Sequence, residues 1–175
     1  RSHFASYFFP LDGVGHWNRL YGPRGLYQHQ SVVPEETAHE TIPLLLSAAR
    51  EADQVSFLTV LKRFGAIPSP GLLSFPRQGY TLTLDFPNRG EKTWRLLQRL
   101  DEITISAGGA INPYKDARMS AAAFAASFPG WRAVERLRDQ AFMSDFWRWT
   151  AMAVAEAEAR SSAAEEKDEQ VLSER

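Results

Sequence analysis

The segment Gly108-Gly109-Ala110-Ile111-Asn112-Pro113-Tyr114-Lys115-Asp116-Ala117-Arg118 joins two glycines, a short apolar step, a proline-stiffened bend and a bracketed lysine. Glycine lets a backbone come close to a flat ligand, and proline limits how the lysine beyond it can be aimed. A lysine held this way is a fixed cation that can meet charge on a reacting oxygen. The same residues also describe a loop running into a helix with Lys115 solvated, and local chemistry alone favours that plainer reading. Other side chains of interest sit at alternate positions of extended segments. Gln28 and Gln30 fall on one face of the run Leu26 to Val33, with Tyr27 and His29 on the other. Two neighbouring amides can bind a polar ligand, and a solvent-facing sheet surface shows the same pattern. Lys62 shares a face with Leu58, Val60 and Phe64, so its ammonium must reach solvent or an anionic partner. Thr81 and Thr83 lie opposite the apolar set Tyr80, Leu82, Leu84 and Phe86.

The elements that must position these groups follow from the periodicities. The alternating runs 26–33, 55–65 and 80–86 predict strands. Pro34-Glu35-Glu36 predicts a helix start, continued by Ala38, Ile42, Leu45, Leu46 and Ala49 and kinked or split at Pro43. Pro87-Asn88-Arg89-Gly90 ends the third strand, and Trp94, Leu97, Leu100 and Thr104 predict a helix over 91–105. Ser120 is placed to cap a helix over 121–127, Pro129-Gly130 breaks the pattern before 131–140, and Ser144 or Asp145 starts a last helical stretch. Phe146, Trp147, Trp149 and Met152 read as packing. This order predicts an α+β fold, an antiparallel β-sheet with helices packed on one face. The candidate side chains would then form a polar wall opposite the helices, which nothing in the chain would cover. Residues 1–155 form one expected domain, and 156–175 an expected frayed helix and disordered acidic tail.

Composition narrows the chemistry. The 175 residues are 44% hydrophobic and 23% charged with a formal net charge of −1, and no basic stripe points to nucleic acid. The absence of cysteine excludes disulfides, thiolate metal sites and a cysteine nucleophile. His3, His16, His29 and His39 lie in four separate segments, so no metal site is expected. No apolar run is long enough to span a bilayer, so the expected location is cytoplasmic or peripheral at the membrane. The pair Gly13-Val14-Gly15 lacks a third glycine and a following helical pattern, so no dinucleotide-binding turn is read there. Arg1 leads straight into Phe4-Ala5-Ser6-Tyr7-Phe8-Phe9 without a signal-peptide pattern, as expected of a piece of a longer polypeptide.

Several motifs, in one order from about residue 7 to 150, carry a resemblance. They are Pro10-Leu11-Asp12, Trp17-Asn18-Arg19-Leu20-Tyr21-Gly22-Pro23, Tyr27-Gln28-His29-Gln30-Ser31-Val32-Val33-Pro34, Leu61-Lys62-Arg63-Phe64-Gly65, Leu84-Asp85-Phe86-Pro87, Tyr114-Lys115-Asp116-Ala117-Arg118-Met119 and Ser144-Asp145-Phe146-Trp147. Together they resemble the C-terminal half of the decaprenylphosphoryl-β-D-ribose 2′-oxidase family, FAD-dependent oxidoreductases of the vanillyl-alcohol-oxidase type. The resemblance implies a substrate-binding cap domain, with FAD held mainly by an N-terminal domain of the same polypeptide. It also implies oxidation of the 2′-hydroxyl of a lipid-linked ribose by hydride transfer to flavin, in the synthesis of a cell-wall arabinan precursor with an epimerase partner. By the same resemblance Lys115 is the catalytic residue and, with Asn112, touches the cofactor, while Gln28, Gln30, Lys62, Phe64, Thr81 and Thr83 line the substrate site. Thr83 stands where mycobacterial members carry a cysteine, and Asn112 where they carry a tyrosine. The related sugar-lactone and alditol oxidases tend to place His-Trp-Gly/Ala before the equivalent lysine, which Asn112-Pro113-Tyr114 does not match. Two alternatives stay open: a flavin oxidase of a sugar-1,4-lactone or alditol, and a degenerate cap domain serving as an interaction module.

Overall fold

A strand whose alternate residues are apolar must hide one face, and two such strands pair most readily with those faces aligned. In the computed structural model, which describes residues 1–115 and 118–173, this pairing builds a four-stranded antiparallel sheet in the order β2-β3-β1-β4. Its strands are β1 (Leu26–Val33), β2 (Thr59–Phe64), β3 (Gly79–Pro87) and β4 (Ala110–Ile111). The register sets His29 opposite Leu84 and Tyr27 opposite Phe86, so Leu82, Leu84 and Phe86 share a face with Tyr27, His29 and Ser31. Two helices, α2 (Glu35–Glu51) and α3 (Glu91–Ser106), cover that face. Leu45, Ala49, Leu96, Leu97 and Leu100 close against Leu82, Leu84 and Phe86 in one apolar cluster. The α+β reading of the sequence is therefore what the chain forms.

A short helix α1 (Phe4–Phe8) and two 3-10 turns, Pro10–Gly13 and Trp17–Tyr21, precede the sheet. After β4 come α4 (Ala121–Ser127), α5 (Trp131–Leu137), α6 (Asp145–Trp147), one π-turn (Arg148–Met152) and α7 (Ala153–Ser173). A second cluster, built on Phe124, Phe128, Trp131, Trp147 and Ala151, reaches the β4 edge through Ala110 and Ile111. Ser120 caps α4 by accepting from the Ala123 amide at 3.2 Å, as its position predicted, and of the two candidates at 144 and 145 it is Ser144 that caps, accepting from the Trp147 amide at 3.1 Å. No helix among the described residues is long and apolar enough to cross a membrane.

Several local expectations differ from the outcome. α2 runs unbroken through Pro43, because the helix is held by burial of Ala38, Thr41, Leu45 and Ala49 on the face away from the exposed proline. β2 begins at Thr59, not Val55. Trp94, assigned to the packed stripe of α3, is 49% exposed, and the buried set is Thr93, Leu96, Leu97, Leu100, Asp101 and Thr104. Leu97, Leu100 and Thr104 are buried as the pattern predicts, while Trp94 lies outside the stripe and donates from Nε1 to the Tyr27 hydroxyl at 3.0 Å. The stretch expected to begin as a frayed helix at residue 156 is helical as far as Ser173. Residues 156–164 are exposed, so that stretch rests on the helix propensity of Ala and Glu rather than on packing.

The two glycines of the lysine segment serve the fold. Gly108 has φ +75° and ends α3, its amide donating to the Ile105 carbonyl at 2.9 Å. Gly109 lets β4 lie against β1: a Cβ there would stand 2.6 Å from the Val32 carbonyl oxygen and 2.8 Å from that of Thr104. The close approach that glycine permits here is between backbones, not toward a ligand. Gly109→Ala should accordingly cost about 1–3 kcal/mol or more, since both neighbours are backbone atoms that cannot swing aside. Denaturant unfolding checks this, and an unchanged midpoint would contradict it.

Candidate functional site

The face of the sheet away from α2 and α3 carries Gln28 and Gln30 from β1, Val60, Lys62 and Phe64 from β2, and Thr81, Thr83 and Asp85 from β3. Register makes this one surface, with Gln30 opposite Thr83, Thr83 opposite Val60, and Thr81 opposite Lys62. The structure thus brings together the six substrate-site candidates read from the sequence. Asn112 joins them from the end of β4. Its backbone amide donates to the Gln30 carbonyl at 2.8 Å, and its Nδ2 donates to Gln30 Oε1 at 2.8 Å. Asn112 Oδ1 accepts from the Tyr114 amide at 3.0 Å, and the Lys115 amide donates to the Asn112 carbonyl at 3.4 Å. The turn that carries Lys115 is therefore built directly on Gln30. Lys115 and Tyr114 are exposed, and Asp116 and Ala117 lie outside the described residues.

Within this wall some groups face outward and others support them. Thr81 is 1% exposed, and its hydroxyl accepts from Gln30 Nε2 at 3.1 Å, so it orients the Gln30 amide. Gln30 is then held on both ends of its amide, by Thr81 and by Asn112. Gln28 Nε2 donates to Asp85 Oδ1 at 2.6 Å. Lys62 is exposed, and Phe64 is half-buried with its ring edge-on to Phe75 at 6.2 Å between centroids. A shallow cleft of about 500 Å³ beside this end is lined by Leu73, Ser74, Phe75, Asn112 and Tyr114.

The chain covers part of the wall itself, contrary to the expectation that nothing would. At one end Tyr21, from the turn Trp17–Tyr21, is buried and donates its hydroxyl to Asp85 Oδ2 at 3.1 Å, with Phe57 edge-on to its ring. Asp85 is 1% exposed and receives both the Tyr21 hydroxyl and the Gln28 amide. At the other end Phe75 packs against Phe64. Burial, and then the charge and hydrogen bond of Asp85, push the Tyr21 phenol up to about 12. One tyrosine should therefore resist ionisation until about pH 12 in a spectrophotometric titration, and Tyr21→Phe should remove that late component. The same substitution should cost about 1–3 kcal/mol, because a buried acceptor loses its donor. A Tyr21→Phe protein that keeps the late component would refute the assignment.

On the helix-covered side, directly behind the wall, lies an ionic network that the sequence pattern did not reveal. His29 Nε2 is 3.0 Å from Asp101 Oδ1, and Arg118 grips both oxygens of Asp101, NH1 to Oδ2 at 2.6 Å and NH2 to Oδ1 at 3.0 Å. All three side chains are largely buried. Burial alone would raise the Asp101 carboxyl, but the hydrogen bonds and charges of His29 and Arg118 outweigh it and hold the group below the usual carboxylate range. The available signal was a carboxyl at 101 beside Leu97, Leu100 and Thr104, since an acid on a buried helix stripe requires a partner. Next to Asp101 and Arg118 a cleft of about 620 Å³ opens along the outer side of α3, bounded by Trp94, Ile105 and Ala122. It lies on the helix side, away from the gathered amides. Among the described residues no group of three His, Asp or Glu side chains could hold a metal ion.

Comparison with known proteins adds relatives of larger size. No family model matches the chain. It is 35% identical over 125 residues to decaprenylphosphoryl-beta-D-ribose oxidase of Mycolicibacterium smegmatis, which covers 71% of this chain and 26% of that protein. It is 41% identical over 70 residues to an uncharacterized protein in the mprA 5′ region of Streptomyces coelicolor, covering 40% of this chain and 19% of that protein. The chain thus spans about a quarter or less of the curated relatives it matches. By sequence it is related to the decaprenylphosphoryl-beta-D-ribose oxidase family.

Proposed function

We propose that this chain is the substrate-binding part of an FAD-dependent oxidoreductase that oxidises a sugar hydroxyl, the 2′-hydroxyl of a polyprenylphosphoryl-β-D-ribose. The observation that carries the reading is the convergence of Gln28, Gln30, Lys62, Phe64, Thr81 and Thr83 on one sheet face, with the Lys115 turn founded on Gln30 through Asn112. These are the positions that the family resemblance assigns to its site. The donor set fits one side of a flavin ring: Lys115 supplies an exposed cation, and Asn112 and Gln30 form a rigid amide pair beside it. None of these residues forms a phosphate-cradling turn, so the dinucleotide's phosphates are left to another domain of the same polypeptide. Bound flavin supplies the two-electron acceptor for alcohol oxidation.

The chain's own residues then have distinct tasks. Lys115 holds negative charge as it develops on the oxygen of the reacting alcohol or on the neighbouring ring. Gln30, locked between Thr81 and Asn112, presents its amide without needing to reorganise. Lys62 meets the phosphate end of the substrate, and Thr83 lines the sugar site. With threonine at 83 and no cysteine in the chain, reagents that act by thiol capture find no target here. The epimerase that would complete the sugar conversion, and a peripheral location at the cell membrane, are parts of this same reading.

The test is anaerobic bleaching of flavin in the flavin-bearing polypeptide that carries this chain. A polyprenylphosphoryl ribose should reduce it rapidly, and free sugars, a sugar-1,4-lactone and an alditol slowly. Faster reduction by the lactone or alditol would transfer the assignment to that branch. Absence of flavin reduction by all of them would support an interaction module instead.

A further inference from the structure

The geometry points to the buried network His29–Asp101–Arg118 as a positioning device for Lys115, an inference that rests on the proposed role of that lysine. Adjacent residues of β1 hold the two ends of the Lys115 segment from opposite faces of the sheet. Gln30 takes the front end, receiving the Asn112 backbone amide at 2.8 Å and the Asn112 side-chain amide at 2.8 Å. His29 takes the back end through Asp101, which it meets at 3.0 Å and which in turn grips Arg118 with two contacts of 2.6 and 3.0 Å. A bidentate guanidinium–carboxyl pair fixes orientation as well as distance, which a lysine at 118 could not reproduce. Arg118 follows Lys115 by three residues, a span of at most about 11 Å along the chain, so anchoring it limits where the lysine's Cα can travel. Met119, 2% exposed in the second apolar cluster, also holds the chain beyond the turn, and the Arg118 contacts add a directional restraint one residue nearer the lysine.

The network is built to hold rather than to react. Its members are largely buried, Asp101 sits on the packed face of α3, and His29 lies beneath the helices with Leu82 and Leu84 as its neighbours on the sheet. None of the three faces the wall that carries Gln28 and Thr83. Their effect on the reaction is therefore exerted through the position of Lys115, and they are positioning residues.

Backbone amide exchange in this chain, compared between the wild type, Arg118→Ala and Arg118→Lys, tests the device. The amides of Tyr114 and Lys115 should exchange at least about tenfold faster in Arg118→Ala, beyond any change in the β1 and β3 amides, and Arg118→Lys should recover only part of the protection. Acceleration equal in the segment and in the strands, or none in the segment, would overturn the proposal. Arg118→Lys keeps the charge, so it supplies the comparison if the alanine variant does not fold. In the flavin-bearing protein the same variants should lower kcat for flavin reduction with little change in KM. If exchange changes as stated while Lys115→Ala leaves flavin reduction intact, the assignment of Lys115 falls and the tether stands.

Discussion

Lys115→Ala should slow substrate-driven flavin reduction about 10²–10³-fold in the flavin-bearing protein, the loss typical of removing one preorganised donor from developing charge. The reason is positional. Lys115 sits on a turn whose first residue, Asn112, is tied by main chain and side chain to Gln30, so its ammonium is delivered from a fixed base. Exposure in this chain keeps it hydrated, and its electrostatic value would grow only where a bound ligand displaces that water. Rapid-mixing measurement of flavin bleaching reads the effect. Substrate affinity should change much less than the rate, because the interaction strengthens as charge develops. A variant that bleaches at the wild-type rate would remove Lys115 from the chemistry.

Loss of the Asp101 carboxyl should be the most damaging change to the fold itself. Asp101→Ala strips His29 and the Arg118 guanidinium of their shared acceptor inside the α3–β1 contact, an expected cost of about 3–5 kcal/mol. The network also sets a pH dependence. Burial raises the Asp101 carboxyl, the His29 and Arg118 hydrogen bonds lower it more, and the net folded-state value lies below that of the unfolded chain. Its stabilisation is therefore complete above the ordinary carboxylate pKa of about 4 and is lost as pH falls through the lower folded value. Urea unfolding between neutral pH and the acid limit should show this loss in the wild type and much less of it in Asp101→Ala. Asp53 is also held low, by Lys92, at an exposed site where salt screens it, and Glu135 by Arg138 at a half-buried one that the Asp101 substitution leaves intact. An acid transition that survives at high salt in the wild type and disappears in Asp101→Ala would belong to the buried network. Equal acid sensitivity in both proteins would refute the assignment.

How far the chain could be read in advance follows from the kind of signal each element carries. Gln28 and Gln30 were placed with Thr81 and Thr83 because strand alternation is a local property with a period of two, and pairing preserves faces. The same argument put Lys62 and Phe64 on that wall. Helix phase was harder. A period of 3.6 leaves the edges of a stripe ambiguous, so the pattern points Trp94 inward and does not mark Asp101 as buried.

Amino-acid order alone determines the identity and facing of the strands, the cap at Ser120 and the α+β class, while the choice of Ser144 over Asp145 came from the fold. The use made of that pattern depends on contacts between distant parts of the chain. Tyr21 closes one end of the polar wall from 64 positions away from Asp85, and Arg118 reaches back 17 positions to Asp101. Asn112 and Gln30 meet across 82 positions. Gly109, which in isolation suggested room for a ligand, is filled by the Val32 and Thr104 carbonyls. Such contacts depend on strand order and register, which bring together residues with no local relation. Periodicity states which way a side chain points, and only the assembled sheet states what it meets.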